Sequence, residues 1–501
     1  MRVERFLWDA AERFPDKTAI VCGEARPTYR ELAAGAAGLA RELKRRGVRR
    51  GDRVVLFLQN SPEAVLGVFG VLAAGAVFSV INPSTKAEKL AYILNNARAR
   101  ALITEPRLAA VASEAAARAP SVENVLVSPL DFADAARPEG GIDLDLAMII
   151  YTSGSTGFPK GVMITHANIV AAAGSITTYL ESRADDIVLS VLPMAFDYGL
   201  YQVLMCAKVG ATLVLEKSFA FPALTLERLR EEKVTGFPLV PTLAAMLLQM
   251  KHLEPGMFPS LRYLTNTAAA LPKAHILRLR ELFPQAKLYS MYGVTECKRC
   301  TYLPPEQLAV RPESVGVAIP GTEAWVVDET GERVPPGTVG ELVIRGAHVM
   351  QGYWENDEAT RHALRAGPYP WEKVLYTGDL FKADDEGYLY FVARKDDIIK
   401  TRGEKVSPRE VENCLYELAG VREAAVVGVP DATLGNAIKA VIARDPESAL
   451  TEREVIRHCA VRLEDFMVPK HVEFRGELPK SENGKIARRQ IAEEILAEAA
   501  P

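Results

Sequence analysis

From about residue 18 to residue 290, short apolar β-rich runs alternate with helical patterns, and that alternation limits what the chain can fold into. RVVLFL (53–58), ALIT (101–104), NVLV (124–127), MIIYTS (148–153) and TLVLE (212–216) read as buried strands, with helices between them over 28–47 and 223–233. Such alternation builds parallel or mixed sheets covered by helices. The longest apolar run, 65–81, has a membrane span as its competing reading. It is short for one, rich in Gly and Ala, and divided by Gly75, so it reads as a buried helix followed by a buried strand. The opening MRVERFLWDAAERF lacks the apolar core of a signal peptide. Val3, Phe6, Leu7, Ala10 and Phe14 instead follow helical spacing.

The texture changes twice further on. Over 312–394, strand-turn-strand spacing with turns at DETGE and PPG predicts an antiparallel or barrel-like segment. Near Arg394 a charged, Gly-containing stretch leads to a helix start, with Ser407 at the N-cap, Pro408 in the first turn, Glu410 three residues on, and Gly420 as the stop. Strand, strand, helix (Thr451 and Glu454 repeat the capping pattern) and strand then follow. The expected fold class is α/β: a large N-terminal domain of helix-covered mixed sheets plus a barrel-like segment (1–394), then a small mobile α+β C-terminal domain (397–501).

Length and composition narrow the function classes. A chain of 501 residues has room for about three domain-sized units. Apolar content of 49% and charged content of 25% are ordinary for a soluble protein. The formal net charge of −4 speaks against a protein whose main partner is nucleic acid. Six cysteines in a chain of this length are no disulfide scaffold and point to a reducing compartment, the cytoplasm.

The densest chemical signal is YTSGSTGFPKG (151–161), directly after an apolar strand. Glycines let a backbone approach an anion and turn its N–H groups toward it. The hydroxyls donate to phosphate oxygens, and Lys160 adds charge. A nucleotide polyphosphate is the ligand this predicts. The spelling is not that of a Walker loop, because Pro159 precedes the lysine and Gly161 follows it.

This string resembles the phosphate loop of the adenylate-forming superfamily of acyl-CoA synthetases, amino-acid adenylation domains and luciferases. Further motifs follow in the family's order: YGVTE (292–296), YTGD (376–379), RKDD with Ile399, Lys400 and Gly403, and PKSENGKI (479–486). The resemblance implies activation of a carboxylic acid by Mg·ATP as acyl-AMP with release of pyrophosphate. Transfer to a thiol, of CoA or of the 4'-phosphopantetheine on an acyl or peptidyl carrier protein, follows. No carrier domain is seen after the last motif, so a separate carrier or CoA is expected to bring that thiol. The resemblance assigns catalysis to Lys485, Thr156 and Glu296, with Glu296 and Thr156 on Mg²⁺. Nucleotide binding falls to Thr152, Ser153, Gly154, Ser155, Gly157, Lys160, Ala268, Ala269, Tyr292, Gly293, Thr295, Asp379 and Arg394. The hinge, 395–396, centres on Asp396. Two half-reactions would use two settings of the small domain.

The acid pocket by the same resemblance comprises Phe196, Asp197, Tyr198, Tyr201, Thr267, Met291 and Arg299, with Pro238 beside them. The Phe196–Asp197 pair resembles amino-acid-activating domains, where this aspartate holds the substrate ammonium. A carboxylate among aromatic rings is costly unless paired. Asp197 therefore meets either a substrate amine or a protein cation, and Arg299 is the candidate cation. If the two pair, the substrate is an acid without an amine, such as a small or aryl acid. A non-catalytic adenylate-binding scaffold is the reading from outside enzymology. Cys297 and Cys300 lack the further ligands a zinc site needs and read as pocket wall.

Overall fold

The computed structural model describes residues 1–129, 141–152, 159–250, 252–267, 271–395, 397–402, 404–431, 434–481 and 484–498. Two helix-covered sheets form the body of the large domain. A seven-stranded sheet runs in the order Gly352–Tyr353, Lys160–Thr165, Leu146–Thr152, Val77–Val80, Arg53–Phe57, Ala99–Thr104, Asn124–Val127. It is parallel from Leu146–Thr152 outward and antiparallel at the other end. Alternation along one central strand builds two cores. Val54 and Leu56 face the main cluster, while Val55 and Phe57 face a second one.

The eight-stranded sheet is parallel from Ile20–Val21 through Lys287–Tyr292 and turns antiparallel at Thr301–Leu303 and Val317–Ala318. The barrel-like segment is a five-stranded antiparallel sheet built on the long strand Lys373–Ala383. Run 65–81 forms the end of helix Pro62–Ala73 and strand Val77–Val80, and Gly75 makes the corner at φ +81°. No helix among the described residues is long and apolar enough to cross a membrane.

The small domain carries a three-stranded sheet, Val421–Asp431, Gly435–Arg444 and His471–Arg475, against helices Pro408–Tyr416, Glu452–Arg462 and Arg488–Glu498. Its strands alternate in the same way. Ala424 and Val426 pack into one cluster, and Ala425 and Val427 into another, so the module holds cores of its own.

Two expectations need correction. The run 124–127 is not a buried strand. It is the sheet edge, with only Leu126 buried and Val125 and Val127 exposed. Its apolar composition suits an edge covered on one face. Ser407 is the N-cap residue but caps nothing, because its hydroxyl donates 2.6 Å across to the Val392 carbonyl in the large domain. The capping box at Thr451 and Glu454 does form. Thr451→Ala should therefore cost about 1 kcal/mol and speed amide exchange in helix Glu452–Arg462. Ser407→Ala should leave exchange in its own helix unchanged.

Candidate active site

Three segments converge where the eight-stranded and five-stranded sheets meet. Strand Lys287–Tyr292 delivers Tyr292 at its end, and cross-strand partners Asp379 and Arg394 come from the five-stranded sheet. Asp379 is 3% exposed. Its Oδ2 accepts from the Tyr292 hydroxyl at 2.7 Å and its Oδ1 from Arg394 Nε at 2.9 Å. The carboxylate raises the pKa of Arg394, and burial together with that charge raises that of Tyr292. A carboxylate offers about four lone-pair sites, so acceptor capacity remains on Asp379. The Tyr292 ring meets Phe381 edge-on at 4.8 Å.

After Tyr292 the chain makes a tight turn into Thr301–Leu303. Cys300 N–H donates to the Tyr292 carbonyl and Lys298 N–H to that of Val294. A Cβ on Gly293 would stand 1.8 Å from the Lys298 carbonyl oxygen, so only glycine fits there. Lys298 itself is in the left-handed region, at φ +68°. The turn carries Thr295 and Glu296. Glu296 accepts 2.6 Å from the Tyr353 hydroxyl, and the Tyr353 ring also faces Lys160 Nζ at 5.6 Å. Tyr353 thus bridges the strand that follows the phosphate loop and the turn that carries Glu296. It has no motif of its own to announce it. Thr152 contacts the Lys160 carbonyl at 3.5 Å. Ser153, Gly154, Ser155, Thr156, Gly157, Ala268, Ala269 and Asp396 lie outside the described residues.

Lys485 arrives from the small domain. It ends a bonded turn, in which Ser481 N–H donates to the Lys485 carbonyl and Gly484 N–H to the Ser481 carbonyl. Gly484 rests near Thr242 and Val240 of the large domain. The residue is exposed, yet its Nζ reaches 5.9 Å from the Phe196 ring. Loss of hydration lowers its pKa, and the charges of Asp197, Asp379 and Glu296 oppose that shift.

The pocket segment before helix Asp197–Val209 is held by Asn60, a residue the sequence reading passed over. Its amide donates to the Leu192 and Glu216 carbonyls at 2.9 Å and accepts from Met194 N–H at 2.9 Å. Phe196, Asp197, Tyr198, Tyr201, Thr267, Met291 and Arg299 are all buried. Met291 accepts from the Tyr179 hydroxyl, and Tyr198 bonds Thr265. Burial pushes Tyr198 up to about 12.

Asp197 meets a protein cation, but it is Lys298 rather than Arg299. The two stand 3.7 Å apart, with Lys298 2% exposed. Arg299 instead lies over the Tyr198 ring at 4.4 Å. The left-handed backbone at 298 aims the lysine, and a residue-by-residue reading of TECKRC has no means of seeing that. An ammonium is therefore not needed to balance Asp197. Cys297 and Cys300 are fully buried with their sulfurs 3.0 Å apart, and the described residues hold no cluster of three or more metal ligands.

The chain belongs to the AMP-binding enzyme family. The family model matches residues 7–354, and that of the AMP-binding enzyme C-terminal domain matches 410–485. Within that class it is an AMP-forming acid–thiol ligase of the acyl-CoA synthetase kind, activating a carboxylic acid with ATP. It is 33% identical to a long-chain-fatty-acid–CoA ligase of Bacillus subtilis, over 98% of this chain and 94% of that one. To a feruloyl-CoA synthase of Amycolatopsis it is 34% identical over 96% of each. The ATP-bound MatB of Rhodopseudomonas palustris superposes with a TM-score of 0.90 at 28% identity over 99% of both chains.

Removing one partner of a buried ion pair leaves an uncompensated charge. Lys298→Met should lower stability by about 3 kcal/mol in denaturant unfolding, and Asp197→Leu added to it should restore most of the loss.

Proposed function

We propose that the chain is an acid–CoA ligase for a compact acid without an ammonium group, working in two half-reactions on one site shared by both domains. The observation that carries this reading is the position of Lys485. Its Nζ, carried by the small domain, stands 5.9 Å from the ring of Phe196 and within electrostatic reach of Asp197, both of the large domain. Asp379 and Arg394 would take the ribose, Tyr292 the adenine, and Thr295 with the loop from Thr152 to Lys160 the phosphates. The acid carboxylate attacks the α-phosphorus, pyrophosphate leaves, and Lys485 stabilises the charge on the transferring group. Preorganised charge of that kind is worth roughly 10²–10³ in rate.

Glu296 fits a magnesium ion. It is one carboxylate with an oxygen beyond its Tyr353 bond, and this ion is usually held by one or two carboxylates plus substrate phosphates. Thr156 would complete the protein's share. When bound, the ion would neutralise phosphate charge.

After adenylation the small domain would turn about Asp396 and withdraw Lys485, admitting the thiol. CoA is the acceptor we favour, because the full-length relatives are named for CoA. Six thiols without a disulfide suit a cytoplasmic setting.

Lys485→Ala should reduce acid-dependent ATP–pyrophosphate exchange by at least about 10²-fold while sparing thioester formation from supplied acyl-AMP. Equal loss in both assays would refute the two-step assignment. Adenylation also needs Lys485 protonated. Because the loss of hydration at its Nζ, packed toward the large domain, lowers its pKa, exchange should fall as pH rises through a value below the ordinary lysine range. The thiolation half-reaction should lack that alkaline limb.

A further inference from the structure

Glu296 is held at both ends by one short segment. Met350 N–H donates to the Glu296 carbonyl at 2.8 Å, and the Tyr353 hydroxyl donates to its Oε1 at 2.6 Å. The same segment is laced to the strand that leaves the phosphate loop. Gln351 N–H donates to the Met163 carbonyl at 2.9 Å, Trp354 N–H donates to the Gly161 carbonyl at 2.7 Å, and Tyr353 stands opposite Val162. Across that seam the Tyr353 ring lies 5.6 Å from Lys160 Nζ. One side chain therefore touches both the carboxylate assigned to the ion and the lysine of the loop. Its own place is fixed from behind. Tyr353 N–H donates to Thr360 Oγ1 at 2.9 Å, and Thr360 belongs to helix Asp357–Ala363, whose start is capped by the Asn356 side chain. A Cβ on Gly352 would stand 2.7 Å from Thr360 Cγ2, so the helix packs directly on the strand that carries the tyrosine.

We propose that Tyr353 is a positioning residue for the first half-reaction: its hydroxyl sets the Glu296 carboxylate for the ion, and its ring steadies Lys160 for the phosphates. This rests on the reading of Glu296 as the magnesium ligand. A glutamate loses rotamer freedom when an ion fixes it, and one that is already held has less to lose. A hydrogen bond on Oε1 fixes the carboxylate plane and leaves Oε2 for the ion. A partner of this kind, bonded to the ligand rather than to the metal, typically governs metal affinity as well as ligand orientation. The ring acts separately, because a cation within about 6 Å of an aromatic centroid is attracted to it. Metal ligand and loop lysine are in this way set against each other by one residue, which itself touches neither the ion nor the reacting atoms.

The test reads nucleotide binding, with no acid present and no turnover. The full chain is titrated calorimetrically with α,β-methylene-ATP, once with Mn²⁺ in excess and once in EDTA, and the ratio of the two affinities is the gain that the metal brings. Tyr353→Phe keeps the ring and should cut that gain about tenfold. Tyr353→Leu should cut it as far and should also weaken the metal-free analogue about threefold, since Lys160 loses its ring. Glu296→Gln should cut the gain at least as far as Tyr353→Phe does. Unfolding midpoints near that of the wild type identify the variants that remain folded, and the hydroxyl-only change to Phe is the mildest of them. A full metal gain in Tyr353→Phe, with the gain lost in Glu296→Gln, would overturn the proposal and leave the ion on Glu296. Equal weakening of the metal-bound and metal-free analogue in Tyr353→Phe would overturn it too. A full gain in both Tyr353→Phe and Glu296→Gln would instead sink the reading of Glu296 as the ion's ligand, and the positioning role with it.

Discussion

The clasp on Asp379 is the contact on which the site's layout depends. One carboxylate holds a tyrosine from the end of the eight-stranded sheet and an arginine from its neighbour strand in the five-stranded sheet. It thereby fixes two sheets against each other at the point where the chain leaves for the small domain. Arg394 is the last residue of its strand. A bond that orders the site therefore also sets where the second module starts.

That module meets the large domain at the Lys485 turn and along helix Pro408–Tyr416. Ser407 gives one hydroxyl to Val392, Arg409 lies over Phe391 at 4.9 Å, and Tyr416 meets His275 edge-on at 6.3 Å. These are single polar or aromatic contacts between bodies that each hold their own core. Domains that meet through contacts of this kind commonly move against each other, which suits the proposed withdrawal of Lys485 between half-reactions.

Much of this was legible in the sequence, for identifiable reasons. Alternating strands and helices announce themselves through period, so the mixed sheets and the antiparallel segment could be read directly. The motif residues Tyr292, Glu296, Asp379, Arg394 and Lys485 could be named because short-range spelling marks them. What could not be read depends on direction. Whether Lys298 or Arg299 faces Asp197 is decided by one left-handed residue in a turn. Whether Ser407 caps its helix or reaches Val392 is decided by a neighbouring body. Asn60 and Tyr353 hold their places through contacts far along the chain, which no local pattern encodes.

The backbone at position 298 carries a trade. A left-handed residue is most comfortable as glycine, and a lysine there costs of order 1 kcal/mol. Glycine would relieve the turn and leave the buried carboxylate of Asp197 without its ion-pair partner. The identities at 197 and 298 are thus one choice rather than two. A lineage that abandons the aspartate has no further reason to keep the strained lysine, and one that relaxes the turn must first neutralise the helix start opposite.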